Sequence, residues 1–405
     1  RSHLSKACGE MIYASDIKLP GMLVGKVLRS PFPHCRIKSI DIGNAKKIPG
    51  VHAVITAKDI PGEKLIGKTV NDQPILALDI ARTVLDAIAL VAAESNEIAE
   101  LAVNSIELDL EPLPAVFDPY EALLPTSPKL YPEGNLLNKF KIVHGNVENA
   151  IRETDVIVKD TYRFPWIEHA YLETESVVSA PSLEDTITVW IGCHNIYGER
   201  SCLARAFNWP EERFRVILVP PGGSFGGKDD NLIAIWAALL AYYSNKPVKL
   251  SFSRQESIRG HSKRHSQIIN HELGARDDGT LMYAKVKIFS DTGAYAHWGE
   301  SIFKFACLQS TGPYKIPNAI VTSELAYTNN IVAGAMRCWG TPGVEFAVET
   351  QMNKLACKLG LHPLKIRWIN ALEDGDSTIT GRAIPQFCNF KSTIKAAAEK
   401  IKLRL

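Results

Sequence analysis

Apolar and polar residues alternate over several short stretches of this chain, and elsewhere recur with a helical period. "MLVGKVLRS" (22–30) and "VHAVITAKDI" (51–60) read as strands. "SNEIAELAVNSI" reads as a helix capped by Ser95, with Glu97 and Glu100 in its early turns. Strand signals resume later in "DVIVKDTYRF", "TITVWIGC" and "RFRVILV". "NLIAIWAALLAYY" (231–243) is apolar on all sides, which predicts a buried helix. "VEFAVETQMNKLACKLG" places Val344, Val348, Met352, Leu355 and Leu359 on one stripe, and Gly360 with Pro363 ends it. Between the two sets lies "LLPTSPKLYPEGN", with three prolines, a glycine and no period. We read segments 1–123 and 137–405 as domains and 124–136 as the linker between them. There is no internal repeat and no low-complexity tract.

Composition changes this picture little. The chain has 405 residues, enough for two or three cores, and is 46% hydrophobic and 22% charged, as an ordinary globular protein is. A formal charge of +2 without a basic block gives no electrostatic case for nucleic acid or an anionic membrane. The eight cysteines form no CxxC, so neither an iron–sulfur nor a structural zinc site is indicated, and a reduced cytoplasmic setting is the simplest expectation. The longest apolar run, Leu232 to Tyr243, is too short to span a bilayer, and no signal peptide is visible. The chain opens at Arg1 rather than Met, as a trimmed or incomplete N-terminus would.

The candidate chemistry sits in "PPGGSFGGKDD" (220–230), between a strand and the buried helix. Glycines let a backbone approach a ligand closely, and a helix start offers free N–H groups, so together they can cradle an anion. Gly222 to Lys228 fits G-x-x-x-x-G-K, yet Asp229 and Asp230 stand where a nucleotide loop needs a hydroxyl, and two carboxylates repel a triphosphate. The alternative is a tight turn with Asp229 as N-cap. His261, His265 and His271 are the nearest approach to a metal cluster, but Lys263 and Arg264 among them oppose a cation, so packed or solvated histidines are expected.

"GGSFGGK" resembles the G-G-x-F-G-G-K/E segment of the molybdenum hydroxylases, the family of xanthine dehydrogenase, aldehyde oxidase and nicotinate dehydrogenase. The resemblance runs in order through "GEMIYASDIKLPGMLVGKVLRSPFPHCRIKSID", "DAIALVAAES", "LEPLPAVFDPYEAL", "HGNVENAIRETDVIVKDTY", "SRQESIRGHSKRH", "DTGAYAHWG", "GPYKIPN", "AMRCWGTPGVEFAVE" and "LACKLGLHPLKIRWINAL". It implies an α+β chain, with a small α/β hammerhead domain followed by the first molybdopterin-binding domain. It also implies that the metal is held by a pyranopterin, not by side chains. By position, Phe225, Gly226 and Gly227 fall on the loop beside the cofactor. His194 falls where the family has a glutamine, and Ala335, Met336 and Arg337 fall on its second cofactor segment. Asp229, Phe305 and Trp339 fall on substrate-facing positions. Asp229 is read either as an acceptor for a substrate N–H or as the helix cap.

Several positions depart from the family pattern. Cys338 replaces a glycine, Gly343 a glutamine and Phe305 an arginine that orients purines, with Lys304 beside it; "VLD" at Val84 to Asp86 replaces V-G-D. These fit a retuned pocket or a decayed one. The family's general base lies in a second half that this chain does not reach, as in split enzymes, so no catalytic residue is assigned here. What the resemblance implies is hydroxylation of an N-heterocycle or aldehyde with water as the oxygen source, a carboxylate base taking the proton. The cofactor would be molybdenum-molybdopterin, plain or as the cytosine dinucleotide, shared with a second molybdopterin-binding chain. FAD and [2Fe–2S] would lie on partner chains and carry the electrons away. A non-catalytic relative that binds no cofactor is the competing reading.

Overall fold

A computed structural model describes residues 2–182, 185–230 and 232–405. Asn231, the first residue of the expected buried helix, lies outside the described residues. The strand signals hold at Leu23–Arg29, Val51–Thr56, Val156–Phe164, Ile187–Ile191 and Phe214–Leu218. Ser95 caps the helix Asn96–Asn104 by accepting from the Ile98 N–H at 3.3 Å.

Two large sheets carry the fold, mixed with helices as an α+β chain requires. The first has seven strands. In spatial order they are Phe214–Leu218, Ile187–Ile191, Ser176–Pro181, Val248–Ser251, Leu23–Arg29, Ala87–Ala93 and Val51–Thr56. Strands from both sides of segment 124–136 therefore share one sheet, and the join is parallel, with Leu23 opposite Val248 and Gly25 opposite Leu250. The segment itself is pinned: the Asn135 side chain accepts from the Leu130 N–H and donates to the Ala122 and Pro128 carbonyls. The second sheet has five strands, ordered Val156–Phe164, Gln267–Ala275, Leu281–Gly293, Ala319–Tyr327 and Leu136–His144.

Each sheet buries one long helix. Leu232–Ser244 lies against the seven-stranded sheet and is buried from Leu232 through Ala241, which is why its sequence shows no polar stripe. Its Trp236 N–H donates to the Ile75 carbonyl at 2.7 Å, which satisfies the one polar atom of a buried indole. Thr341–Lys358 covers the five-stranded sheet with Val344, Val348, Met352 and Leu355, and Gly360 follows it at φ +64°. Loops from both sheets meet at one place. The glycine loop leaves the strand Phe214–Leu218, residues 294–298 leave Leu281–Gly293, and 328–340 leave Ala319–Tyr327.

Candidate active site

The glycine loop is fastened from behind. Lys228 is buried and its Nζ donates to Glu173 Oε2 at 2.6 Å; the same oxygen accepts from the Gly222 N–H at 2.6 Å. The lysine thus staples the loop and does not reach outward as a nucleotide-loop lysine must. Phe225 sits at φ +51° and Gly226 at φ +102°. A Cβ on Gly226 would lie 2.6 Å from the Ala335 carbonyl oxygen and 3.0 Å from the Met336 Cα, and the Arg337 N–H donates to the Phe225 carbonyl at 2.8 Å. Two segments far apart in sequence therefore touch backbone to backbone, which only glycine permits at this position.

A cavity of about 480 Å³ opens between them. Phe225, Gly226, Ala335, Met336 and Arg337 line it, and so do His194, Asp229 and Trp339, so the structure brings these sequence-picked residues to one cavity. Cys338 and Trp298 complete the lining; Trp298 was not singled out from sequence. Two expected residues lie elsewhere. Gly227 lines a small enclosed cavity beneath the loop, and its N–H is spent on the Ser224 carbonyl at 2.8 Å. Phe305 is exposed on the helix Gly299–Gln309 and does not line the cavity, while Lys304 is turned over the Phe140 ring, 5.9 Å from its centroid. Phe305→Arg is accordingly expected to leave substrate preference unchanged in a competition assay; a gain on purines would put this side chain back in the pocket.

Asp230, not Asp229, reaches the start of the helix: its Oδ1 accepts from the Leu232 N–H at 3.0 Å. Asp229 is 7% exposed and faces the cavity. Its Oδ2 accepts from the Trp298 indole N–H, and its Oδ1 lies 3.4 Å from Lys68 Nζ and 3.9 Å from His194 Nδ1. Trp298 in turn sits beside Trp339, with ring centroids 5.5 Å apart and planes at 59°.

A buried ionic cluster lies under the loop. His261 Nδ1 is 2.6 Å from the Ser257 carbonyl and 3.0 Å from Glu175, while Nε2 is 3.1 Å from Glu168 and 3.3 Å from His169 Nδ1. Every one of these partners accepts, so His261 is an imidazolium donating from both nitrogens. Burial opposes its charge, yet the bonds to Glu168 and Glu175 outweigh burial and raise its pKa above 6.5. Burial likewise works against the ionised Glu175, but His261 holds it down to about 2. Burial keeps His169 neutral, down to about 4, so its Nε2–H donates to the Ala335 carbonyl at 2.8 Å. Glu168, His169 and His261 are close enough to ring a cation. However, Lys263 Nζ stands 2.8 Å from Glu168 and His261 is already charged, so the cluster is a clamp on Ala335. His265 and His271 are packed in the interior and kept neutral by burial, down to about 3 and about 4.

A profile of the molybdopterin cofactor-binding domain matches residues 130–371, and one of the aldehyde oxidase and xanthine dehydrogenase a/b hammerhead domain matches 8–114. The chain belongs to the xanthine dehydrogenase and aldehyde oxidase family. It is 42% identical to a probable xanthine dehydrogenase subunit from Bacillus subtilis over 92% of its own length and 50% of the relative's. It is 36% identical to the nicotinate dehydrogenase large molybdopterin subunit of Eubacterium barkeri over 98% of its length and 93% of that chain. The chain thus spans about half of the first relative and most of the second. Among solved structures it resembles the aldehyde oxidoreductase of Desulfovibrio gigas at TM-score 0.95 and 26% identity, over 99% of this chain and 46% of that one.

The family's molybdopterin fits what the cavity offers. The Gly226 cradle would be filled by any Cβ, so glycine leaves the loop backbone open to a bound group. The segment that answers the family's A-F-R-G-F-G is held by its carbonyls. His169 bonds Ala335, Arg264 Nη2 bonds Arg337 at 2.7 Å, and Gln267 Nε2 bonds Gly340 at 3.3 Å. Two departures from the family pattern lie here. Cys338 takes the left-handed conformation at φ +74° with its side chain exposed in the cavity wall, and a Cβ on Gly343 would require the Gln267 side-chain amide to shift.

Proposed function

We propose that this chain is the molybdopterin-binding subunit of a multi-subunit molybdenum hydroxylase acting on a flat N-heterocycle or an aldehyde, with a second molybdopterin-binding chain supplying the general base. One observation carries this reading: Asp229 is the sole carboxylate lining the cavity among the described residues, and both its oxygens already hold donors. Tied to an indole N–H and facing an ammonium, Asp229 is poorly placed to take a proton, which supports a base supplied from outside the described cavity wall. Support also comes from the large-subunit name of the Eubacterium relative, and from Leu172, Leu218 and Phe225, which are exposed on or beside the loop where a partner could cover them.

Bound molybdopterin supplies the oxygen-transfer and two-electron redox chemistry. The Phe225 and Gly226 backbone, His194, and Ala335 to Arg337 would hold it. Trp339 and Trp298 orient a flat ring, and their bulk with Met336 excludes water. FAD and [2Fe–2S] would reside on further chains, and the cofactor is plain molybdopterin or its cytosine dinucleotide. Among the described residues no helix is long and apolar enough to cross a membrane, and the eight cysteines are free, which supports a reducing cytoplasmic setting.

The test is purification of the complex with metal and pterin analysis. This chain by itself is expected to show no turnover, and the complex with its partner chain is expected to carry molybdenum, pterin and activity. Turnover by a molybdenum-loaded monomer refutes the shared site, and a complex free of pterin favours a non-catalytic relative.

A further inference from the structure

We infer that the hammerhead domain shapes the candidate pocket, with Asp72 and Thr69 as positioning residues that hold the loop carrying Trp298. The wall is a substrate wall only on the reading above; its geometry stands apart from that. Residues 294–298 lead into the pocket and are gripped at successive positions by the first third of the chain. The Tyr131 hydroxyl donates to the Ala294 carbonyl at 2.7 Å, and the Tyr295 hydroxyl donates to Asp86 Oδ2 at 2.7 Å. Asp72 Oδ2 accepts from the Ala296 N–H at 2.8 Å and from the Tyr327 hydroxyl at 2.9 Å. Thr69 Oγ1 donates to the His297 carbonyl at 3.0 Å, and Lys68 of the same segment faces Asp229 at 3.4 Å.

The loop needs this grip. His297 is buried at φ +42°, a left-handed conformation that a histidine keeps only under constraint. Asp72 and Thr69 bond on either side of that strained point, at the Ala296 N–H and the His297 carbonyl. Side-chain support from the loop's own strand is longer, with Thr292 Oγ1 3.2 Å from the Tyr295 and Ala296 carbonyls. Ala296 is fully buried, so without Asp72 its N–H would lack a partner. Trp298 comes next along the chain. Its indole lines the cavity, bonds Asp229 and sits 5.5 Å from the Trp339 ring. A backbone change at 296–297 therefore re-aims one side of the pocket, and a site is only as well placed as the residues that support it.

Fluorine NMR reads the loop without ligand or cofactor, on the full chain labelled with 5-fluorotryptophan and purified with any partner it retains. The chain has seven tryptophans, and the line lost in each Trp→Phe sample assigns Trp298, Trp190 and Trp368. Asp72→Ala should shift and broaden the Trp298 line. Trp190 and Trp368, on the strand Ile187–Ile191 and the helix Pro363–Asn370, should stay in place. Asp72→Asn keeps an acceptor for the Ala296 N–H and should return the line close to its wild-type position. Thr69 is exposed, so Thr69→Val should fold even if Asp72→Ala does not; it should move the same line, and Thr69→Ser should restore it. A Trp298 line unmoved in either folded variant overturns the inference. So does a change that spreads equally to Trp190 and Trp368, since that is general loosening. Quinoline titrated into the same samples should move the wild-type Trp298 line, and about tenfold more should be needed in Asp72→Ala. A wild-type line blind to quinoline counts against the flat-ring reading alone, so the two failures are told apart.

Discussion

Gly226→Val is expected to leave both sheets folded and strip the complex of its molybdenum. The residue occupies the left-handed region at φ +102°, where a β-branched side chain costs on the order of 1–3 kcal/mol in backbone strain. Strain is the smaller effect. A Cβ there meets Ala335 backbone atoms at 2.6 and 2.8 Å, and neither can rotate aside as a side chain would. Relief requires the two segments to part, which breaks the Arg337 to Phe225 hydrogen bond and opens the cavity wall. The strand Phe214–Leu218 and the helix Leu232–Ser244 pack on other atoms and should survive. Metal analysis beside a far-ultraviolet spectrum checks this. Full molybdenum content in a folded variant would reduce the loop to a turn.

His261→Leu should be the most damaging single change to stability. It removes a buried imidazolium and leaves Glu175 without its cation, while Glu168 keeps Lys263, and breaking a buried pair in this way costs about 3–5 kcal/mol. Adding Glu175→Gln should recover part of the loss, because the stranded charge is its main source. The wild type should also show the pair in its pH dependence. His261, raised above 6.5, contributes fully below that value and loses its contribution as pH climbs through the folded pKa. Glu175, at about 2 against 4.5, contributes fully above 4.5 and loses its part as pH falls toward 2. His169, held near 4, erodes the acid side from 6.5 downward because the unfolded chain takes up that proton first. Thermal midpoints should therefore decline on the alkaline side in the wild type and stay flatter there in His261→Leu. Parallel curves would mean that the cluster carries no such charge.

Much of the site was legible because its chemistry is local. A glycine run after a strand and before an apolar helix states its geometry within eleven residues, and the 335–339 segment is recognisable as a unit. Helices were read where burial repeats every turn, as at Val344, Val348 and Met352. What escaped was tertiary. Asp229 and Asp230 are equally good caps on paper, and only the approach of Trp298 and Lys68 decides between them. Trp298 ends a loop whose sequence gives no reason to face Asp229. Phe305 was placed by its position in the family pattern, and one helical turn is enough to send such a side chain to solvent. No periodic signal marks Leu23–Arg29 as the parallel neighbour of Val248–Ser251, since nothing in either run names its partner.

That pairing also bears on biosynthesis. While the nascent chain is still short, Leu23–Arg29 has one finished edge, against Ala87–Ala93, and one bare edge waiting for Val248–Ser251. Its inward face waits too, for Leu240 of a helix that is translated just before that strand. At ordinary elongation rates of about 5–20 residues per second, the gap lasts on the order of ten seconds or more. An unpaired apolar strand edge exposed for so long is an aggregation hazard during synthesis, one that closes only when Val248–Ser251 arrives.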